Sequence, residues 1–214
     1  SARDLGSLAV VNDTGEMTGY MSNGCIDQDI LLQALECLQS GSARLLRYGD
    51  GSPFFDLTLP CGGALSVWID PAPDKAALVA AYTALLARDP ASLTFHPEAT
   101  DVAFAPITIS YQPKLALTLA GRGAVFRATA KVAHAIGFDV TGFSPDIHDL
   151  AAIRAYCQDA PTHVTSQRNI TTLDLDKASG FLTLFHDHNW EPAFLIAALA
   201  TTAGFVGALG SERT

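Results

Sequence analysis

Hydrophobic and polar positions in the first half of the chain form short runs and then recur at helical spacing. Leu8–Asn12 and Met17–Met21 flank the polar residues Asp13–Glu16, a pattern typical of a β-hairpin. The next apolar residues have the spacing of a helix that ends at Ser40-Gly41: Ile26, Ile30, Leu31, Ala34, Leu35 and Leu38. Three strands are predicted after it, followed by an Ala-rich helix: Ala43–Tyr48, Phe55–Leu59, Ala64–Ile69, and a helix from Pro73 to Asp89-Pro90. The first half is therefore predicted to be an α+β unit.

The second half alternates apolar runs with helical patterns. Leu115–Ala120 is an apolar run that leads into a glycine turn, and Phe138–Phe143 is the next predicted strand. The helix between them is expected to bury one face, formed by Val125, Ala128, Val132, Ala133 and Ile136. Strand, glycine turn, helix and strand within about thirty residues indicate a βαβ unit. Further elements are predicted at Asp149–Cys157 (helix), Phe181–Phe185 (strand), Trp190–Ala203 (helix) and Phe205–Leu209 (strand).

This alternation predicts an α/β protein in which the second half is a parallel sheet wrapped by helices. The predicted domains are 1–105 and 106–214, joined by a connecting segment within Phe104–Pro113. Ala193–Gly210 carries no charge over 18 residues, near the lower limit for a membrane span. Its threonines and glycines favour a buried helix followed by a buried strand, so no membrane partner is expected.

Composition and charge narrow the classes of function. Of 214 residues 49% are hydrophobic and 16% charged, which excludes disorder as the main state. The 13 basic and 22 acidic residues give a net charge of −9, which disfavours nucleic acid and anionic membranes as partners. Residues 1–113 carry a net −8 and residues 114–214 a net −1, so the second half could tolerate an anionic ligand.

The four cysteines lack the C-x-x-C spacing of zinc or redox sites. No signal peptide is visible at the start of the chain, and a reduced, cytoplasmic setting is expected. Cys37 lies within a helical run and Cys157 near a helix end, so both are expected to be packing residues.

Two cysteines lie beside glycines where secondary-structure elements meet. Asn23, Gly24 and Cys25 precede the first helix, whose free N–H groups can favour a thiolate. The alternative is a buried Cys25 that acts as a small hydrophobe, with Asn23 as the helix cap. Cys61, Gly62 and Gly63 lie between two strands, where paired glycines serve a tight turn or a close ligand. The two motifs could converge on one pocket.

Gly121-Arg122-Gly123 supplies the first two glycines of a dinucleotide-binding motif. Phe126 occupies the position that normally holds the third glycine. Ser144 lies where a ribose-binding carboxylate is normally found. An anion-binding turn helped by Arg122 and Arg127 is still predicted, whereas NAD(P) binding is not.

Two further candidate sites follow predicted strands. His186-Asp187 comes after Phe181–Phe185, and Gly210-Ser211 after Phe205–Leu209. The carboxyl ends of strands are where open α/β sheets bind ligands. The histidine could act as an acid, a base or a donor, or could simply belong to a loop.

Together these motifs resemble the XdhC/CoxI family of xanthine dehydrogenase accessory factors. Five stretches resemble the family's motifs in order and spacing: Ser22–Asp27, Cys61–Gly63, Gly121–Gly123, His186-Asp187 and Gly210–Arg213. The resemblance implies an XdhC/CoxI-type domain over 1–105 and a Rossmann-like domain over 106–214. Ser144 departs from the family, whose members often have aspartate there. Ser1 falls inside what resembles a family stretch, S-x-P-R-x-x-G, and Thr214 precedes the family's usual closing segment, so a shortened or incomplete chain is expected.

The resemblance also implies a function. Family members are cytoplasmic chaperones that bind the molybdenum cofactor and protect it while a cysteine desulfurase adds the terminal sulfur. They then pass it to a xanthine dehydrogenase-type molybdoenzyme. The expected cofactor contacts are Asn23, Gly24, Cys25, Cys61, Gly62, Gly63, Gly121, Arg122, Gly123, Ser144, His186, Asp187, Gly210 and Ser211, with the phosphate at the turn Gly121–Gly123. No catalytic residue, no protein metal ligand and a homo-oligomer are expected.

Two alternatives stay open. An NAD(P)-linked oxidoreductase would use the Rossmann-like half, although Phe126 and Ser144 argue against it. A scaffold with a vestigial nucleotide fold is the other.

Overall fold

The structure is a computed structural model that describes residues 6–22, 24–50, 62–96, 106–170, 172–185 and 189–210. The chain forms two compact units. The first comprises Ser1–Thr83 and Ala91–Tyr111, and the second comprises Ala84–Pro90 and Gln112–Thr214.

Three antiparallel strand pairs and an α-helix make up most of the first unit. The pairs are β1 (Val10–Val11) with β2 (Met17–Thr18), β3 (Arg44–Gly49) with β4 (Ala64–Ile69), and β5 (Ala91–Phe95) with β6 (Ile107–Tyr111). Helix α1 (Asp27–Ser40) follows β2, and α2 (Lys75–Leu86) begins in this unit. The predicted strand Phe55–Leu59 lies outside the described residues.

Helix α1 packs on the β3–β4 hairpin through most of the face that the sequence predicts, whereas Leu38 at its end is 39% exposed. Its buried residues Ile30, Ala34 and Cys37 recur at helical spacing. The core beneath it joins residues of the helix start and of both strands: Ile26, Ile30, Leu46, Tyr48 and Val67. Gly41 ends the helix in the left-handed conformation, and its N–H donates to the Cys37 carbonyl at 2.8 Å. At its other end, Ile26 and Ile30 fix the start of α1 against β3 through this core.

The segment predicted to connect the two halves contains a strand instead. Ile107–Tyr111 forms β6 and pairs with β5. Strand β5 was not predicted from the sequence either. Thr94 and Thr108 face each other across the pair, with their hydroxyl oxygens 2.9 Å apart. Alternating β-branched and polar residues in β6 carry a strand signal, but the flanking prolines, Pro106 and Pro113, outweighed it.

The second unit is a five-stranded parallel sheet, which confirms the predicted α/β class. Its elements in chain order are β7 (Ala116–Gly121), α3 (Gly123–Ala135), β8 (Asp139–Ser144), α4 (Ile147–Ile153), β9 (Thr162–His163), β10 (Ser179–Leu184), α5 (Glu191–Leu199) and β11 (Phe205–Ala208). The strand order is β11-β10-β7-β8-β9. This is the Rossmann order. The chain adds strands on one side of β7 as far as β9 and then continues on the other side with β10, so the strand order reverses between β7 and β10. Ligands of such sheets bind where those two strands end.

Side chains of the second unit fill both faces of the sheet. Leu119, Val140 and Leu184 pack against Phe126 of α3, whereas Phe181 and the residues near it pack on the α5 side. Phe126 is fully buried, so a phenyl ring fills the space that a third motif glycine would leave. Tight packing of helix and strand is kept without that glycine.

The buried face of α3 shares Ala133 with the predicted face and otherwise differs from it. The buried residues are Phe126, Ala130 and Ala133, while Val125, Val132 and Ile136 are 43%, 58% and 68% exposed. The helix carries two apolar stripes, and the predicted face is the stripe rich in β-branched residues. The sheet contacts the stripe with the largest side chain and two small alanines, which let the helix approach closely.

The uncharged stretch Ala193–Gly210 forms most of α5 and all of β11. In the described part of the chain, no helix is both long and apolar enough to cross a bilayer.

Candidate functional site

The loop before α1 is organised by one carboxylate. Oδ1 of Asp27 accepts hydrogen bonds from the N–H groups of Met21 (2.7 Å) and Ser22 (3.0 Å). Oδ2 accepts from the Ser22 hydroxyl and from the Gly24 N–H, each at 2.9 Å. The Ser22 hydroxyl oxygen in turn accepts the Ile26 N–H at 3.1 Å. Two side chains therefore hold the backbone N–H groups of Met21, Ser22, Gly24 and Ile26 around the start of the helix.

This arrangement stabilises the ionised form of Asp27. Partial burial acts to raise the pKa of this carboxyl, but the four hydrogen bonds outweigh it and lower the pKa below its ordinary value. The carboxylate also lies in the first turn of α1, where the helix dipole favours negative charge. Asp27 is thus held in its charged form, in which it accepts these hydrogen bonds and keeps the loop in place.

The loop presents Cys25 to solvent. Its side chain is exposed, which contradicts the alternative of a buried packing residue. Asn23, the expected helix cap, lies outside the described residues, and the Ser22 hydroxyl accepts the Ile26 N–H at this end. A thiol in this position can meet a ligand.

Cys37 and Cys157 are buried, as the sequence predicts. Burial raises the pKa of both thiols, so each stays protonated near neutral pH. Cys61 lies outside the described residues. Of the three described cysteines, Cys25 is the one that a ligand can reach.

Gly62 and Gly63 lie at the same end of the α1–β3–β4 layer as the Cys25 loop. Gly63 directly precedes β4, and the register places Gly49, the last residue of β3, opposite Ala64. A Cβ on Gly49 would lie 2.0 Å from the Gly63 carbonyl oxygen, so the two backbones touch there. The neighbouring Tyr48 hydroxyl donates to Oδ2 of Asp29, in the first turn of α1, at 2.6 Å. The structure thus brings the start of the helix to the glycine end of the hairpin.

In the second unit, the glycine turn lies at the carboxyl end of β7, next to β10. A Cβ on Gly121 would lie 2.8 Å from Cβ of Leu184 and 3.0 Å from its carbonyl oxygen. Gly123 has φ +82° and opens α3, whose N-cap is Arg122. The turn therefore has the close strand contact and the left-handed residue that its glycines predict.

The anion that meets this turn belongs to the chain itself. The N–H of Gly123 donates to Oδ2 of Asp149 at 2.6 Å, and Arg127 forms an ion pair with Oδ1 of the same carboxylate. Asp149 lies on α4 and is 3% exposed. The sequence predicts a ligand phosphate at the N–H groups of this turn, whereas in the structure the Gly123 N–H meets Asp149, which no sequence motif indicates.

The sequence carries a signal for this carboxylate that points elsewhere. Asp146 is the N-cap of α4 and its Oδ1 accepts the N–H groups of His148 and Asp149 at 2.8 and 3.4 Å. An acidic residue three positions after a cap normally reaches back to the cap. Here the Asp149 side chain reaches across to α3 instead, which depends on tertiary packing and cannot be read from spacing.

Ser144 is fully buried at the end of β8. Its hydroxyl oxygen accepts the N–H of Asp146 at 3.1 Å and so shapes the turn into α4. Gly210 follows β11 at the carboxyl edge of the sheet, where the N–H of Leu209 donates to the Thr183 carbonyl at 2.9 Å. The predicted contacts His186, Asp187 and Ser211 lie outside the described residues. Within the described ranges, no cluster of three or more His, Cys, Asp or Glu side chains is placed to hold a metal ion.

Comparisons with known proteins agree with this architecture. The model of the XdhC and CoxI family matches residues 1–49, and that of the XdhC Rossmann domain matches residues 117–214. A crystal structure described as a xanthine dehydrogenase from Bacillus halodurans aligns with a TM-score of 0.75 and 18% identity. That alignment covers 100% of this chain and 75% of the other. At such low identity, the likeness shows the fold.

A curated relative extends over both matched regions. The chain is 32% identical over 225 residues to the molybdenum cofactor insertion chaperone PaoD of Escherichia coli (strain K12). The match covers 100% of this chain and 64% of PaoD, so the chain spans a little less than two thirds of that relative. The two matched models, which together account for residues 1–49 and 117–214, and a relative that matches this chain throughout lead to one assignment: the chain belongs to the XdhC and CoxI family.

Proposed function

We propose that this protein is a molybdenum-cofactor chaperone that serves the maturation of a xanthine dehydrogenase-type molybdoenzyme. It binds the cofactor as cargo, holds it for sulfuration by a cysteine desulfurase, and delivers it to the enzyme. It acts in the cytoplasm, as a homo-oligomer, and catalyses no turnover of its own. The observation that carries the proposal is the 32% identity to PaoD across the whole of this chain.

The geometry of the Cys25 loop supports a contact with the cargo. Thiolates are good ligands for soft metals, and the exposed Cys25 is the described thiol that a ligand can reach. Asp27 holds the backbone that leads up to it, through hydrogen bonds from the N–H groups of Ser22 and Gly24. A loop held in this way loses little conformational freedom when it binds.

Neighbouring groups extend this contact surface. Gly62 and Gly63 lie at the same end of the layer, where the absence of side chains lets a planar ring system approach the backbone. Asn23 and Cys61 are sequence neighbours of this surface and belong to the proposed contacts. In the bound cofactor, the pterin dithiolene supplies the ligands that hold the molybdenum. The protein then has to grip, orient and shield the cargo.

The test is to purify the full chain from cells with an intact molybdopterin pathway and measure bound pterin and molybdenum. We expect both to copurify, and Cys25→Ser to retain at least about tenfold less, equivalent to about 1.4 kcal/mol. Cys157→Ala removes a buried thiol from the other unit and should retain the parental amount.

A transfer assay completes the test. Loaded protein, mixed with cofactor-free xanthine dehydrogenase-type enzyme, should restore its activity, and protein from a pathway-deficient strain should not. Absence of pterin and molybdenum in the parent, together with failure to activate the enzyme, overturns the proposed function. Equal loading of the parent and Cys25→Ser removes Cys25 from the contact surface.

A further inference from the structure

The glycine turn of the second unit is occupied by a carboxylate of the same chain, that of Asp149, and this limits which ligands can bind there. In Rossmann sheets, the N–H groups that open the first helix bind the ligand's diphosphate. Here the Gly123 N–H, the first of α3, donates to Oδ2 of Asp149 at 2.6 Å. The strand order and the glycine turn of a nucleotide site are present, but a carboxylate meets this donor.

The Asp149 carboxylate is built into the fold rather than free to leave. It is 3% exposed, and Leu150 and Ile153 of the same helix are buried as well. Its second oxygen is paired with Arg127, one turn into α3. Separating a buried carboxylate from its N–H donor and its guanidinium partner leaves an uncompensated buried charge, which is strongly unfavourable. Thermal motion will not vacate the position for a weak ligand.

A phosphate at this turn would meet three unfavourable changes. It would compete for the Gly123 N–H, it would compete for Arg127, and it would lie against a like charge. At the end of β8, where a ribose-binding carboxylate is usual, the chain has Ser144, whose hydroxyl accepts the Asp146 N–H. Each feature points away from a dinucleotide.

We propose that Asp149 is a specificity-determining residue that takes the place of a nucleotide phosphate and closes the glycine turn to diphosphate ligands. The inference goes beyond the proposed chaperone function. It also revises the expected position of the cofactor's phosphate, which would have to bind elsewhere than on the Gly123 N–H.

The test is a gain of binding. ADP, which carries a diphosphate, and adenosine, which carries none, are titrated by calorimetry into the full-length chain. Asp149→Ala frees both the Gly123 N–H and Arg127, whereas Asp149→Asn keeps the volume and one acceptor but removes the charge. We expect ADP to bind Asp149→Ala at least about tenfold more tightly than the parent, with Asp149→Asn in between. Adenosine binding should not change.

Asp146→Asn is the matched control. It removes an equal charge from the same helix start, but asparagine still caps α4 and Gly123 stays bonded to Asp149. Asp146 also interacts electrostatically with the Arg127 guanidinium. The His148 N–H is the main cause of its lowered pKa, and Arg127 contributes a small part. A general effect of charge would therefore appear in this variant too.

The outcomes decide the proposal. A tenfold gain for ADP in Asp149→Ala, absent in Asp146→Asn, supports it, as does an amide resonance of Gly123 that shifts with ADP in the variant but not in the parent. Parental protein that binds ADP as tightly as the variant overturns it, and so does an equal gain in Asp146→Asn. Folded Asp149 variants that fail to bind ADP also overturn it, because other features then close the turn. None of these measurements depends on molybdenum cofactor, so the result stands apart from the chaperone test.

Discussion

The Tyr48 hydroxyl donates a 2.6 Å hydrogen bond to Oδ2 of Asp29 and so ties the end of β3 to the first turn of α1. Tyr48 is fully buried. Burial, with a further contribution from Asp29, raises the pKa of Tyr48, so the phenol stays a donor at any physiological pH. This contact connects the hairpin end that carries Gly62 and Gly63 to the helix that carries the Cys25 loop.

Tyr48→Phe should lower the free energy of unfolding by about 1–2 kcal/mol, because it removes a hydrogen bond to a charged acceptor and keeps the ring. Thermal unfolding followed by circular dichroism measures the change. Gln28→Ala, an exposed substitution in the same turn of α1, should change stability by less than about 0.5 kcal/mol. Unchanged stability in Tyr48→Phe would remove this contact from the account of how the helix start is positioned.

Reaction with a thiol reagent should separate the described cysteines. Cys25 is exposed, while Cys37 and Cys157 are buried and have raised pKa values. We expect Cys25 to be alkylated by iodoacetamide at least about a hundredfold faster than the other two in the native state, since the thiolate is the reactive form. Peptide mapping by mass spectrometry gives the rates. Denatured protein is the control, in which the three rates should come within about tenfold of one another.

Asp27→Ala should loosen the loop around Cys25 without melting α1. The substitution removes the acceptor of the Met21, Ser22 and Gly24 N–H groups. Hydrogen bonds to charged acceptors are typically worth about 1.5–3 kcal/mol, and less at a partly exposed site. We therefore expect amide exchange at these three positions to accelerate at least about tenfold.

Exchange measured by NMR checks this, with Ala34 and Cys37 as internal references in the buried face of the helix. Acceleration at the references as well would mean that the helix itself has unfolded. Unchanged exchange in the loop would show that Asp27 does not hold it.

Several strands were predictable in both units, because apolar runs in the sequence mark them. The predicted Ala64–Ile69 is β4 without change, and the strands on either side of the glycine turn are displaced by a single residue at each end. Buried parallel strands form uninterrupted apolar runs, which are readable from one sequence. Strands of two residues, such as Thr162–His163, carry no periodic signal and were missed.

The site was less predictable, because its decisive groups act across elements. The glycine turn and the exposed Cys25 follow local patterns, so their positions could be predicted. Asp149 acquires its role from the contact between α3 and α4, and its spacing is that of an ordinary helix cap. Spacing along one element cannot show where a side chain meets another element.

The ion pair between Arg88 and Asp176 should make the free energy of unfolding of the second unit depend on pH in the acidic range. Nε of Arg88 lies 2.5 Å from Oδ2 of Asp176, and Nη2 lies 3.0 Å from Oδ1. The Arg88 guanidinium is the main cause that lowers the pKa of Asp176 to about 2. A depressed pKa gives stability that is present above the unfolded value of about 3.9 and is lost as the pH falls toward 2.

Arg88→Gln should therefore destabilise the unit by about 1–2 kcal/mol at pH 7 and by clearly less near pH 2.5. Urea unfolding followed by Trp190 fluorescence, in a Trp68→Phe background, reports on this unit. Arg44→Gln breaks a more exposed pair, with Glu36 in the first unit, and should change the stability read from Trp190 by less than about 0.5 kcal/mol. A difference between parent and Arg88→Gln that stays constant from pH 7 to 2.5 would contradict the assignment.

The two glycines of the turn should differ in what they tolerate. A Cβ at Gly121 would press on the Leu184 backbone at 3.0 Å, so Gly121→Ala has to push β7 away from β10 at about 1–3 kcal/mol. Gly123 faces open space and is limited by its φ of +82°, so Gly123→Ala should cost about 1–2 kcal/mol.

Asparagine distinguishes the causes, because it adopts the left-handed region more readily than alanine but is larger. We expect Gly123→Asn to be more stable than Gly123→Ala, and Gly121→Asn to be less stable than Gly121→Ala. Thermal unfolding of the four variants tests the pair, and the same order at both positions would contradict the assigned causes. Because Gly121 sets how β7 meets β10, Gly121→Ala should also shift the Gly123 amide resonance, which reports the bond to Asp149.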